Sequence, residues 1–214
     1  MRGFSKLAFT PAVKAVQERM GSRRIYARLE QTDHTPDALG EDEGAFLAER
    51  DSFYMASVGA TGWPYIQHRG GPKGFVHVLD EHTLAFADFR GNRQYITVGN
   101  AGGDDRVALI FVDYPARARL KVLARARIVS RDEDPALFAR VVGEAAAERV
   151  FVLHVEGIDW NCPQHITPRY TEDEVHELVQ PLLEELDALK RENAHLASKS
   201  NVDRLGEASQ TQGE

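Results

Sequence analysis

The sequence predicts a mainly β domain, an antiparallel barrel with helices around it, followed by a C-terminal helix. Three observations carry this reading. Between Phe53 and Gly157, seven runs rich in β-branched and aromatic residues are separated by turn residues such as Ala60-Thr61-Gly62 and Asp80-Glu81. Those runs follow one another too closely for alternating βαβ units. From Thr171 to about Ser198 the apolar residues change to the three-and-four spacing of a helix.

The elements follow in order. Thr10-Pro11 opens the first helix: Thr10 can accept from the free N–H groups, and Pro11 suits the first helical position. Val13, Val16, Gln17 and Met20 keep helical spacing, and Gly21 can end the turn. A second short helix covers about Arg23–Leu29, residues 31–40 read as a loop, and Gly44–Arg50 reads as a helix carrying Phe46 and Leu47. The strands are Phe53–Val58, Pro64–His68, Gly74–Leu79, Thr83–Ala87, Arg106–Val112, Arg119–Ser130 and Val150–Gly157, with a helix over Pro135–Ala147 between the last two. Residues 1–52 thus form a helical segment, 53–170 the barrel, 171–197 the C-terminal helix, and 198–214 a polar tail expected to be disordered.

Composition narrows the function classes. Hydrophobic residues make up 43% of the 214, enough for a sizeable core. A net charge of −7 argues against a nucleic-acid protein, whose affinity rests on Lys and Arg facing phosphates. Cys162 is the single cysteine, so no intramolecular disulfide can form, and a reducing cytoplasm is the expected compartment. Residues 1–10 lack the long apolar run of a signal peptide, and no stretch approaches the ~20 apolar residues that span a bilayer. His68, His77, His154 and His165 lack the close His/Cys spacing of a zinc centre, so no metal site is expected.

Two segments suggest an anion site. In Phe86-Ala87-Asp88-Phe89-Arg90-Gly91-Asn92-Arg93-Gln94-Tyr95 a strand ends, a glycine turn follows, and a helix is expected to begin near Asn92. Helix-start N–H groups suit an anion, and Arg93 can add a planar pair of donors for phosphate oxygens. From the local pattern alone, a capped helix bearing a solvated arginine is the better reading, because short motifs recur by chance. The second segment, Gln67-His68-Arg69-Gly70-Gly71-Pro72-Lys73, places two cations around glycines that let backbone approach a ligand. A charged hairpin loop is the alternative.

Taken together, Trp63-Pro64-Tyr65, Gln67-His68-Arg69-Gly70-Gly71, Gly74-Phe75-Val76, Asp88, Gly91-Asn92-Arg93, Asp105-Arg106-Val107 and Trp160-Asn161-Cys162-Pro163-Gln164-His165-Ile166 resemble the pyridoxamine 5′-phosphate oxidase-like flavoproteins. The likeness spans roughly Phe9 to Tyr170 and is nearest to the oxidase-related FMN-binding branch. It implies a split β-barrel that dimerises with FMN at the interface. Gln67, His68 and Arg69 would line the flavin and ribityl chain. Asn92 and Arg93 would hold the phosphate, while Trp160, Gln164 and His165 would reach the flavin edge from the second subunit or their own. The Arg-x-Glu-Phe-Trp-like ending of the true oxidases is missing, so pyridoxamine phosphate is not the expected substrate. The expectation is a flavin-dependent oxidoreductase acting on a small molecule, with no catalytic side chain named because the cofactor carries the redox step. The alternative is a non-catalytic split barrel, or one that holds haem or a deazaflavin.

In the C-terminal helix, Thr171 and Glu174 form a capping box. Val179, Leu182, Leu186, Leu189, Asn193 and Leu196 follow the a/d pattern of a short coiled coil. A helix packed on its own barrel fits the same pattern. Pro181 is expected to kink or restart it.

Overall fold

The computed structural model describes residues 2–30, 36–143 and 146–210. Three short helices lead the chain: α1 (Arg2–Ala8), α2 (Pro11–Arg19) and α3 (Arg23–Ala27), the last running into a 3-10 turn over Arg28–Glu30. Thr10 caps α2, its Oγ1 accepting from the Val13 N–H at 3.4 Å. This helix is the second, not the first. Tertiary contacts hold α1. The Asp37 carboxylate accepts from the backbone N–H groups of Gly3, Phe4 and Ile158, each at 2.9 Å. A carboxylate from outside the helix thereby serves the N–H groups that a helix start leaves without partners. The approach is close: a Cβ on Gly157 would lie 2.7 Å from the Phe4 Cα.

Residues 31–35 of the expected loop lie outside the described residues, and Pro36–Gly40 has no regular structure. Helix α4 (Glu41–Ala48) starts three residues earlier than the sequence suggests. Its first turn is Glu41-Asp42-Glu43, and acidic residues favour a helix start.

Seven antiparallel strands follow: β1 (Ser52–Val58), β2 (Pro64–Gly70), β3 (Val76–Asp80), β4 (Thr83–Phe89), β5 (Arg106–Asp113), β6 (Ala118–Val129) and β7 (Ala147–Trp160). The order in the sheet is β2-β1-β5-β6-β7-β4-β3. No ladder joins the edge strands β2 and β3 among the described residues, so the barrel is split. Side chains bridge its interior. Phe53 on β1 lies 5.1 Å from Phe86 on β4 and 4.8 Å from Phe111 on β5, and Phe86 stacks on Phe151 at 5.0 Å.

Helix α5 (Ile96–Gly103) follows β4, and α6 (Pro135–Val142) follows β6. Phe138, Val141 and Val142 of α6 cluster with Ala85 and Ala87 of β4, while Leu84 and Phe86 face the barrel core. Strand β4 is therefore buried on both faces, which explains its continuous apolar run. Helix α6 stops at Val142, short of the expected Ala147, because Gly143 takes a left-handed φ of 57°.

The chain forms two compact units, residues 1–167 and 168–214. The second contains α7 (Glu172–Gln210), continuous through Pro181. Its cap is as expected: the Thr171 Oγ1 accepts from the Glu174 N–H at 3.2 Å, and Glu174 accepts from the Thr171 N–H at 2.7 Å. The backbone is helical as far as Gln210, and residues 211–214 lie outside the described residues. Among the described residues, no helix is long and apolar enough to cross a membrane.

Candidate functional site

Strand alternation sorts the Gln67-His68-Arg69 run. On β2, Tyr65, Gln67 and Arg69 are half-buried, while Ile66 and His68 are exposed on the opposite face. The Arg69 guanidinium reaches Asp88 on β4 at 2.5 Å and lies 5.2 Å from the centre of the Phe151 ring. Arg149 on β7 approaches the other Asp88 oxygen at 3.6 Å. One donor is left over: the Arg69 Nε is buried without a hydrogen-bond partner among the described residues.

The start of α5 forms the other wall. The helix begins at Ile96, four residues after the expected start near Asn92. The Asn92 Oδ1 accepts from the Gln94 N–H at 3.1 Å, an Asx turn that competes with helix. Arg93 and Tyr95 both hold left-handed backbone, with φ of 62° and 54°. For non-glycine residues this costs about 1–2 kcal/mol each, and contacts around Tyr95 help to offset it. Its hydroxyl lies 3.3 Å from the Glu148 carboxylate, and the Arg149 guanidinium sits 4.7 Å from its ring centre. The first turn of α5 is tied to β2, since the buried Thr97 donates its Oγ1 hydrogen to the Gln67 Oε1 at 3.1 Å.

Gln67, Arg69, Asn92 and Arg93 therefore share one cleft of about 130 Å³, together with Thr97 and Glu148. Arg69 and Arg149 are paired with carboxylates, whereas the exposed Arg93 hydrogen-bonds the Tyr95 hydroxyl at 3.3 Å. With the N–H groups of the α5 start, the cleft has the chemistry of an anion cradle.

The other four expected residues lie elsewhere in the protomer. His68 is on the opposite face of β2, its ring 5.4 Å from that of Tyr54. Trp160 and Glu148 stand near opposite ends of β7, twelve residues apart, which is about 40 Å of strand. Trp160 donates its Nε1 hydrogen to Glu43 at 2.6 Å and packs edge-on against Phe46 at 4.8 Å. Gln164 and His165 follow in an exposed segment, His165 with a φ of 64°.

Thr97, Glu148 and Arg149 were not among the expected site residues. Thr97 had a weak signal as a lone polar residue between Ile96 and Val98. Glu148 and Arg149 had none, because only the β4–β7 ladder, with Asp88 opposite Arg149, brings Glu148 to the cleft lining and Arg149 against Asp88 and Tyr95 beside it.

Residues 40–162, more than half of the chain, match the sequence profile of the pyridoxamine 5′-phosphate oxidase family. The chain belongs to this family. The match covers all seven strands, the cleft and Trp160, whereas Gln164, His165 and α7 lie beyond its end. No curated protein matches the chain. Several solved structures are similar. One is a provisionally assigned pyridoxamine 5′-phosphate oxidase from Lactobacillus delbrueckii, at 25% identity and a TM-score of 0.46, covering 57% of this chain and 94% of that one. HupZ of Group A Streptococcus has 18% identity and a TM-score of 0.46, covering 62% of this chain and 100% of its own. HutZ, the heme storage protein from Vibrio cholerae, has 18% identity and a TM-score of 0.42, covering 56% and 93%.

Proposed function

We propose that this member of the pyridoxamine 5′-phosphate oxidase family binds FMN as a homodimer and is a flavin-dependent oxidoreductase acting on a small molecule other than pyridoxamine phosphate. The observation that carries the reading is the cleft, where Gln67, Arg69, Asn92 and Arg93 converge on the start of α5 beside the unpartnered Arg69 Nε. These residues fit a phosphorylated flavin. Arg93 and the first N–H groups of α5 hold the phosphate dianion, the Arg69 Nε donates to a ligand oxygen, and the Gln67 amide nitrogen serves the ribityl chain. FMN, when bound, supplies the hydride or electron transfer, and the protein supplies position and charge.

The cleft is small against the ~300 Å³ or more of typical ligand sites, so it suits the phosphate end of the cofactor. The ring then requires a further wall. The outer face of β1, β2, β5 and β6 offers Tyr54, Ala56, Ile66 and Ile110 around a shallow apolar depression. Burying that face against a second copy would complete the site, and it is the second copy's Trp160, Gln164 and His165 that would meet the flavin edge.

The test is titration of apoprotein with FMN and FAD, followed by flavin fluorescence. FMN binds more tightly, and Arg93→Ala weakens it about tenfold or more, the loss expected for a charge-assisted hydrogen bond. Unchanged affinity in both Arg93→Ala and Arg69→Ala overturns the site. A haem Soret band in place of flavin bands in the isolated protein overturns the cofactor. With FMN loaded, oxidation of pyridoxamine phosphate stays well below ~1 per second, the lower end of ordinary turnover, and faster turnover refutes the substrate reading. Oxidation of a reduced nicotinamide distinguishes an enzyme from a cofactor-holding protein.

A further inference from the structure

We infer that α7 is a dimerisation element, pairing with α7 of a second copy as a parallel two-stranded coiled coil in register. The inference is independent of the cofactor. Val175, Val179, Leu182, Leu186, Leu189, Asn193 and Leu196 occupy successive d and a positions over three heptads. The six apolar members are all exposed in the protomer, Val179 at 38% and Leu182 at 63%. The helix carrying them is unbroken, so the seam is continuous despite Pro181. An exposed apolar stripe of this length on a helix calls for a partner.

The occupant follows from chemistry on the same helix. Asn193 stands at an a position, where two copies in parallel register bring their amides together and can hydrogen-bond, whereas a shifted register buries each amide against leucine. Val179 at a with Leu182 at d favours two strands. Glu185 at g meets Lys190 at e of the other copy in a parallel pair. An antiparallel pair instead sets the g positions, Glu185 and Glu192, against like charge. Leu178 at g and Leu183 at e are also exposed and widen the N-terminal part of the seam. A parallel pair has a twofold axis, the symmetry that an isologous barrel dimer also uses.

The experiment uses the full chain in a Cys162→Ser background, because Cys162 is free and exposed. Asn193→Cys places thiols at the seam, and Ala188→Cys places them at position c, away from it. Both sites are exposed, so neither substitution perturbs a core. Under mild oxidation, most of the Asn193→Cys chain should run as a disulfide-linked dimer on a non-reducing gel, while the Ala188→Cys chain runs as monomer. Absence of cross-linking at 193, or equal cross-linking at both positions, overturns the parallel pair. Light scattering of the Cys162→Ser protein should give a dimer mass, and a trimer or tetramer overturns the two-stranded arrangement. Adding Leu186→Glu and Leu189→Glu to the Asn193→Cys chain should abolish the cross-link, and persistence would show that the seam is not the contact.

Discussion

At the scale of single residues, Asp37 and Arg69 do comparable work in different places. Asp37 is a buried carboxylate that accepts three backbone N–H groups from two distant segments. Burial pushes its pKa up, but those three donors outweigh it and hold the carboxyl below its ordinary value. Asp37→Ala leaves the three donors without an acceptor. The expected loss is on the order of 3 kcal/mol, or about 6–12 °C in Tm for a chain of this size. Asp37→Asn, which keeps one acceptor oxygen, should fall between. A calorimetric scan showing no shift for Asp37→Ala would mean that α1 contributes nothing to the barrel. Arg69 pairs with the buried Asp88, so Arg69→Ala leaves an uncompensated buried carboxylate and lowers stability as well as ligand affinity. Arg93→Ala isolates the binding term, because Arg93 is exposed and, among the described residues, hydrogen-bonds the Tyr95 hydroxyl and pairs with no carboxylate within 4.0 Å.

At the scale of elements, the N-terminal helices are held to one another by charge. The Arg23 guanidinium meets the Glu30 carboxylate at 2.7 and 2.8 Å, and the Lys14 ammonium adds a third contact at 2.6 Å. Hydrogen bonds from Arg23 and then Lys14 lower the Glu30 pKa from 4.5 to about 2. A carboxyl with a depressed folded-state pKa stabilises the fold above its unfolded value and loses that contribution as pH falls through the folded one. The contacts of α2 and α3 should therefore loosen between pH 4.5 and about 2. Limited proteolysis near residue 30 by pepsin should accelerate in that window, and Glu30→Gln should cleave at a rate nearly independent of pH there. Equal pH dependence in the two proteins would count against the ion pair. A second element-scale outcome concerns the packing of α1 on β7. Gly157→Ala places a methyl group against the Phe4 backbone, so α1 must shift. Hydrogen exchange at Phe4 should rise while exchange in β5 and β6 stays unchanged, since only local opening is affected.

At the scale of the whole molecule, the cleft and the Trp160 segment are too far apart along β7 to act together within one protomer. The proposed dimer resolves this by letting each barrel complete the other's site. Ile66 is 65% exposed on the outer face of β2 and contributes nothing to its own core. Ile66→Lys should preserve the folded barrel, shift the mass toward monomer in light scattering, and weaken FMN binding. If FMN affinity survives in a monomeric variant, the site is complete within one chain and the shared-site reading fails. Because α7 is proposed to pair separately, the cleanest form of this experiment uses a chain ending at Tyr170.

How much of this was legible beforehand differs by element. The seven strands were readable because β-branched runs, aromatic residues and turn residues report local backbone preference, and each run kept its place to within three residues at either end. The α2 cap at Thr10 and the α7 cap at Thr171 were readable for the same reason, because a cap is a contact between near neighbours. Alternation along β2 also contained the separation of His68 from Gln67 and Arg69, since neighbours on a strand face opposite ways. Other features depend on contacts between residues remote in sequence, which no local pattern encodes. Helix α1 exists through Asp37 and Gly157, the late start of α5 through the Asn92 turn and the clasp around Tyr95, and Thr97 enters the site through Gln67. Local pattern was enough for the strands, the caps, the a/d spacing of α7 and four residues of the cleft. Only the folded barrel brings those four together, adds Glu148 to them with Arg149 beside Asp88, and keeps Trp160, Gln164 and His165 away, because strand pairing sets which end of each strand reaches which part of the barrel.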